Sequence, residues 1–184
     1  MTIFNKFHAL CFGFLVFAIV GAVGYSVNQG DYFQHQYTFI AVKSLLLFLS
    51  IGYTKWFDMI SFGMLSKKQL LLFIEVFLLT VLVNIGYHTF FSVVSGASAQ
   101  HLEETSRGLS LSFIVSVTVL GPIQEELIFR GLLQGAVFDN SWLGLVLTSS
   151  LFSFMHGPYD VPSFFYYLLG GLLLGFAYKK SQNL

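Results

Sequence analysis

The sequence predicts an all-α, polytopic membrane bundle of about six transmembrane helices with both termini in the cytoplasm. The first observation is composition: the 184 residues are 55% hydrophobic and 10% charged, whereas soluble chains carry roughly a quarter of their residues as charged side chains. The second is the 22 phenylalanines and the mean hydropathy of +0.75. The third is a series of apolar stretches long enough for membrane helices, separated by short polar segments. The expected location is the cell membrane, with the lipid bilayer as a partner.

Charge and cysteine content exclude other classes. Nine basic and nine acidic residues give a net charge of zero, so the chain lacks the basic surface that nucleic acid requires, and no nucleic-acid partner is expected. Cys11 is the single cysteine, which excludes an intramolecular disulfide and a cysteine-rich metal site.

The first three predicted spans cover roughly residues 9–27, 37–53 and 70–94. We assign them to an N-terminal region, residues 1–108, which contains no specific motif. Span one could instead be a cleaved secretory signal. Its apolar run is nearer 19 residues than the roughly 7–15 of a signal core, and this favours a membrane helix.

The last three spans form a second region, residues 109–184. Span four begins near Leu109, and spans five and six cover about residues 142–155 and 163–178. Cytoplasmic loops carry an excess of lysine and arginine. With the N-terminus inside, only Arg107 falls in an external loop. The cytoplasmic side then receives the chain's other flanking lysines, which are Lys6, Lys55, Lys67, Lys68, Lys179 and Lys180.

Three charges inside span four need an explanation, because an ionisable group within a membrane is costly unless it is paired or hydrated. Glu126 and Arg130 are four residues apart, so on a helix they face one another. Glu125 points about 100° away and has no fixed partner. Pro122 lacks an amide hydrogen, so the helix should kink or restart just before the acidic pair. An interfacial helix with its charges in the cytoplasm is the alternative, but the apolar run continues past Arg130.

His156 is the second anomaly, because it closes span five. Phe152 lies on the same helical face and would shield the imidazole, and Gly157-Pro158 would end the helix directly behind it. The topology places His156 toward the outer side. Span five has only about 14 residues, or roughly 21 Å, so His156 should lie below the far interface of a 30 Å core.

Two further sets of polar residues have ordinary explanations. Lys43 and Glu75 lie near the ends of their predicted spans, and we expect both to reach the headgroups. Asn84 and His88 share one face of span three. We interpret them as an interhelical hydrogen-bonding pair, with a contribution to the site as the alternative.

Glu125-Glu126-x-x-x-Arg130 followed by Phe152-x-x-x-His156 resembles the first two motifs of the CPBP family. This family comprises the type II CAAX-processing and abortive-infection intramembrane proteases and includes bacteriocin self-immunity proteins. The resemblance covers about residues 109–184. It implies an intramembrane endopeptidase, a metalloprotease-like hydrolase that acts on hydrophobic peptides or membrane proteins.

The resemblance also implies roles for the site residues. Glu125 would activate the attacking water, Glu126 and Arg130 would brace it, and His156 would stabilise the oxyanion or bind a divalent metal, with zinc the expected ion. Glu125 and His156 are then the candidate metal ligands. A catalytic zinc usually has three protein ligands, so this pair alone falls short.

The family's third motif, a histidine on one more helix, would follow Lys180, whereas no histidine follows His156 in the 184 residues. The sequence therefore leaves two classes open: an endopeptidase, or a non-catalytic relative such as an immunity or scaffold protein. A small transporter is disfavoured because no inverted repeat is evident, and no Gly-x-Ser-x-Gly string indicates serine chemistry.

Overall fold

The computed structural model describes residues 2–28, 32–60, 63–91 and 111–183, and these residues form six helical segments without a strand. The first three are α1 (Ile3–Asn28), α2 (Tyr32–Trp56) and α3 (Lys67–Phe90). The next, α4, is continuous over residues 111–137. The last two, α5 (Trp142–Met155) and α6 (Val161–Ser181), form a hairpin. The predicted all-α membrane bundle is confirmed.

Four of these helices, α1, α2, α3 and α6, are long and apolar enough to cross a bilayer. The other two differ for physical reasons. Helix α5 has the predicted 14 residues, which reach only about 21 Å. Helix α4 is long, but it carries the three charges of the acidic motif. The segment from Gln100 to Gly108, including Arg107, lies outside the described residues.

Helix α4 is the most deeply buried element. Its residues from Leu127 to Gln134 are all buried, and they pack against α1, α2 and α5. Leu127 and Leu132 join one apolar cluster with Ala9 of α1 and Leu47 of α2. The enclosed part includes Arg130, whereas Glu125 and Glu126, one turn earlier, are only partly buried.

A kink or restart was predicted from Pro122; the helix instead continues through this residue, and its backbone hydrogen bonding changes just before the acidic pair. Residues Ser116–Leu120 form a π-helical turn, and the amide of Gly121 donates to the carbonyl of Ser116. Proline cannot donate to the carbonyl four residues earlier, and its ring crowds that carbonyl. The wider turn relieves both problems. A second π-helical stretch, Leu127–Val137, follows the acidic pair; such stretches are rare and are often found at functional sites.

Contacts among the described residues gather the predicted cytoplasmic segments at one end of the bundle. Lys6 at the start of α1 pairs with Asp139, which follows α4. Lys179 donates to the carbonyl of Asn140. The backbone of Gly63, before α3, exchanges two 2.8 Å hydrogen bonds with the side chain of Asn183. We call this the lysine end; its location in the cytoplasm stays the prediction of the positive-inside rule.

Two packing features shape the space above the lysine end. In the α5–α6 hairpin, a Cβ on Gly171 would lie 3.1 Å from the Cα of Ser149, so the backbones touch only because this residue is glycine. Helix α3, by contrast, packs mainly along α6 and contacts the other helices little. A gap therefore lies between α3 and α6 on one side and α2 and α4 on the other.

Candidate active site

A cavity of about 510 Å³ occupies this gap, and both Glu125 and His156 line it. Glu126 does not line it, as expected from the 100° between successive helical residues. Pro122 and Gly121 form part of the same wall. The irregular part of the α4 backbone therefore lines the cavity. Within a membrane, an irregular backbone is tolerated where it is buried in protein or lines a water-filled cavity.

The lengths of the two elements explain why Glu125 and His156 meet. Glu125 lies 12 residues before Val137, where α4 ends, so it stands at most about 18 Å from the lysine end. Helix α5 starts at the lysine end, and its 14 residues raise His156 by about 21 Å. The short span predicted from the sequence thus brings the imidazole to the level of the carboxylate.

Glu126 and Arg130 form the predicted ion pair, with 3.5 Å between Oε1 and Nε. The side chain of Arg130 is 0% exposed. Its guanidinium carbon lies 5.3 Å from the centre of the Phe152 ring, in a cation–π contact. This pair balances one of the two carboxylates within the protein and leaves Glu125 to face the cavity.

Gln134 and Gly175 enclose the other side of the guanidinium. The Nε2 of Gln134 donates to the carbonyl of Gly175 at 2.8 Å and to Oδ1 of Asn140 at 2.9 Å. A Cβ on Gly175 would lie 2.7 Å from Oε1 of Gln134 and 3.5 Å from Nη1 of Arg130. The glycine therefore makes room for the amide of Gln134, which lies beside the buried arginine.

His156 is held in one orientation. Its Nδ1 lies 2.8 Å from the carbonyl oxygen of Phe152; because a carbonyl only accepts, Nδ1 carries the proton, and Nε2 of the neutral ring keeps a lone pair. The ring lies between Phe152, at 4.3 Å, and Tyr167, at 4.4 Å and nearly parallel. The predicted helix end is confirmed: α5 stops at Met155, and Gly157 has a φ of 60°.

Lys43 was expected to reach the headgroups and to have no part in the site. Its side chain lines the cavity that also holds Glu125, and its ammonium lies 4.8 Å from the centre of the Phe39 ring. Helix α2 begins at Tyr32, and the apolar span within it begins at Tyr37, as predicted. Lys43 lies inside this span, where a charge is functional by default, and that signal could have identified it.

Ser116 is a second cavity residue that the sequence did not single out. It lies in the first π-helical turn and is 4% exposed. Its hydroxyl has no hydrogen-bond partner among the described residues, although serines in helices often donate to their own backbone, as Thr118 does to Ile114 at 2.7 Å. Nothing in the serine's local sequence distinguishes it.

The polar residues of α3 meet the tyrosines of α6. Asn84 donates to the hydroxyl of Tyr166, which confirms the interhelical hydrogen bond for this residue. His88 packs edge-on against the same ring, with the ring centres 5.8 Å apart, and lines the cavity. The wall opposite Glu125 therefore also carries imidazole and phenol groups.

The side chains do not form a three-ligand metal site. No group of three histidine, cysteine, aspartate or glutamate side chains within the described ranges is close enough to hold a metal ion. Glu125, His156 and His88 all line the cavity without forming such a group. This donor set does not fit the three-ligand arrangement of catalytic zinc.

Comparisons with known proteins show what the chain is similar to. A family model described as "Type II CAAX prenyl endopeptidase Rce1-like" matches residues 107–184. The chain is 27% identical over 162 residues to the UPF0177 protein YbdJ of Lactococcus lactis, covering 83% of this chain and 70% of that protein. It is 28% identical to YajF of the same organism, covering 78% and 73%.

A third relative carries a functional name. The chain is 26% identical over 114 residues to the Bacillus subtilis protein named "Putative membrane peptidase YdiL". The alignment covers 61% of this chain but only 46% of that protein, so it spans less than half of the relative's length. No solved structure matches. The family model and these relatives support a member of the CPBP family, and together with the apolar helices they support a multi-pass membrane protein.

Proposed function

We propose that this protein is an intramembrane endopeptidase that hydrolyses peptide bonds of hydrophobic or membrane-associated peptides. The observation that carries the proposal is the pairing of Glu125 with His156 on the wall of one cavity, 510 Å³ in volume. The second carboxylate, Glu126, is bound to Arg130 outside that wall. Two carboxylates in different environments can take different roles.

In the proposed reaction, Glu125 is the general base. Its carboxylate faces the cavity and takes a proton from a water molecule as the water oxygen attacks the peptide carbonyl. Glu126 and Arg130 fix the α4 backbone that carries Glu125. His156, held by the Phe152 carbonyl, presents the lone pair of Nε2 to the reacting group. Nε2 takes up the proton that Glu125 removed from the water and passes it to the leaving amine.

No step of this reaction is routed through a metal, because the described side chains form no three-ligand group. The family resemblance implies zinc, so the effect of a zinc chelator on cleavage is measured. Cleavage that resists 1,10-phenanthroline agrees with the reaction above. Cleavage that the chelator abolishes and zinc restores would instead give Glu125 and His156 the role of metal ligands.

The experiment uses the full chain in lipid nanodiscs with a pool of hydrophobic peptides, and mass spectrometry reads the products. E125Q and H156Q should each lower cleavage by about 10²-fold or more, since a general acid or base contributes roughly 10²–10⁴-fold. The matched control is E75Q, because Glu75 lies on the exposed face of α3. Full activity of both site variants would refute the proposal.

A second candidate is a non-catalytic membrane protein of the same family, such as an immunity or scaffold protein. The observation that favours it is the lack of a three-ligand group within the described residues. In this case E125Q and H156Q would insert and protect cells from a bacteriocin as well as the wild type does. Loss of protection at normal expression would exclude this candidate.

A further inference from the structure

Lys43 and Ser116 stand on the same cavity wall as Glu125, and the proposed reaction does not yet use them. Lys43 reaches the cavity from α2, and Ser116 reaches it from the first π-helical turn of α4. Glu125 also lines a smaller adjoining cavity of about 100 Å³, and Lys43 lines that one too. Two different helices therefore bring hydrogen-bond donors to the surroundings of the general base.

The charges of this region balance when Lys43 is included. Glu126 is balanced by Arg130, with which it forms the ion pair. Glu125 is the remaining carboxylate, and Lys43 is the cation that shares both cavity walls with it. A balanced set is favourable in a low-dielectric interior, where an isolated charge is very costly. Lys43 can therefore balance the charge of Glu125 across the two cavities that both residues line.

Ser116 is an independent observation. The residue is only 4% exposed, and its hydroxyl has no hydrogen-bond partner among the residues that the structure describes. Buried hydroxyl groups nearly always have a partner. A serine with an unused donor on a cavity wall therefore indicates a ligand acceptor at that point.

We propose that Lys43 and Ser116 form an oxyanion-binding subsite of this cavity, which stabilises the tetrahedral intermediate of peptide hydrolysis. The inference rests on the proposed function. When the water oxygen bonds to the carbonyl carbon, the water proton goes to Glu125 and the carbonyl π electrons move to the carbonyl oxygen. The negative charge thus passes from Glu125 to the substrate.

The positive charge of Lys43 balances one negative charge both before and after the attack, so the net charge of the site does not change. It faces the carboxylate before attack and the oxyanion after attack, and the hydroxyl of Ser116 donates to the same oxygen. When the intermediate collapses, the C–N bond breaks, the nitrogen takes the proton that Glu125 removed from the water, delivered through Nε2 of His156, and the carbonyl forms again. Donors fixed in this way stabilise the transition state more than the ground state.

The first arm of the test measures cleavage in nanodiscs. K43M should lower kcat by about 10²-fold with little change in KM, because an oxyanion donor contributes roughly 10²–10³-fold. K43R, which retains the charge, should recover part of this loss. S116A should lower kcat by about tenfold, the usual effect of one hydrogen bond. The matched controls are T118V, on the same turn but bonded to its own helix, and K68M, an exposed lysine; both should behave as the wild type.

The second arm needs no turnover. The probe is an acetylated leucine tetrapeptide in which a phosphonate replaces the central peptide carbonyl, and its amide counterpart is the reference. Phosphorus NMR in detergent micelles measures binding of the phosphonate, and competition measures the amide. The wild type should prefer the phosphonate, K43M should lose that preference, and K43R and T118V should keep it.

The two arms separate this inference from the proposed function. A wild type that cleaves, with K43M at full kcat, overturns the subsite and leaves the endopeptidase in place. A wild type that binds the phosphonate through Lys43 but never cleaves supports the subsite and overturns the endopeptidase. Absence of any phosphonate preference in the wild type, or an equal preference in K43M, would also overturn the subsite.

Discussion

Replacing Arg130 tests the buried ion pair that supports the site. The guanidinium is 0% exposed and its Nε lies 3.5 Å from Oε1 of Glu126. Two unit charges at that separation attract by about 5 kcal/mol at an effective dielectric constant of about 20. R130M leaves Glu126 without its partner. Breaking a fully buried pair costs about 3–5 kcal/mol of unfolding free energy, and because the Glu126 side chain is 31% exposed, we expect a loss at or below the lower end of that range.

The double variant isolates the electrostatic part of that loss. E126Q/R130M removes both charges, so its unfolding free energy should exceed the additive expectation from E126Q and R130M by about 2 kcal/mol or more. The assay is unfolding of the chain in mixed micelles by increasing dodecyl sulfate, followed by tryptophan fluorescence. K68M is the control for loss of a cation at an exposed position. Additive single effects, or R130M within about 1 kcal/mol of the wild type, would refute the reasoning.

Two further perturbations test the packing around this pair and the lysine end. G175A should destabilise the fold by about 1–3 kcal/mol, because the new Cβ would lie 2.7 Å from Oε1 of Gln134. The control is G170A, whose new Cβ would have no heavy atom within 4 Å. Equal unfolding free energies of the two variants would argue against crowding at Gly175. The hydrogen bond from Lys6 holds the pKa of Asp139 below its ordinary value of 3.8, so the stabilisation is complete above that value and is lost as the pH falls through the folded-state pKa. D139N should therefore be less stable than the wild type at neutral pH and equally stable in strong acid. Unfolding in micelles at both pH values measures this. A stability difference that persists in strong acid would contradict the stabilising role of the ionised Asp139.

The central elements of the site could be predicted from local sequence. The four-residue spacing of Glu126 and Arg130 defines a helical pair, and the adjacent Glu125 must then point elsewhere. Gly157 and Pro158 fix the end of α5, and the short helix fixes the depth of His156. In each case the property depends on residues within one or two helical turns, so the sequence contains the necessary information.

Other parts of the site depend on how distant helices pack. Lys43 lies within the site because α2 packs beside the first part of α4. His88 reaches the cavity because α3 packs along α6. The long π-helical stretch after Glu126 lies in the most buried part of α4. None of these features has a signature in the neighbouring residues.

The irregular backbone of α4 is the link between fold and chemistry. A regular helix would bond the amide of residue 121 to the carbonyl four residues earlier. Here Gly121 donates to Ser116 instead, and both Ser116 and Glu125 lie on the cavity wall. The π-helical turn before Pro122 thus belongs to the same arrangement that exposes Glu125, the proposed general base, to the cavity.

Cross-linking of residues 125 and 156 tests whether these two side chains share one cavity in the membrane-embedded protein. The variant E125C/H156C is made in a C11S background, because Cys11 is exposed and would react, and a short bifunctional thiol reagent is added in nanodiscs. The control pair is E125C/L78C, since Leu78 is exposed on α3. The shared cavity predicts one bridging linker per chain for the first pair and two separately labelled thiols for the control. Separate labelling of residues 125 and 156 would contradict the shared cavity and, with it, the proposed active site.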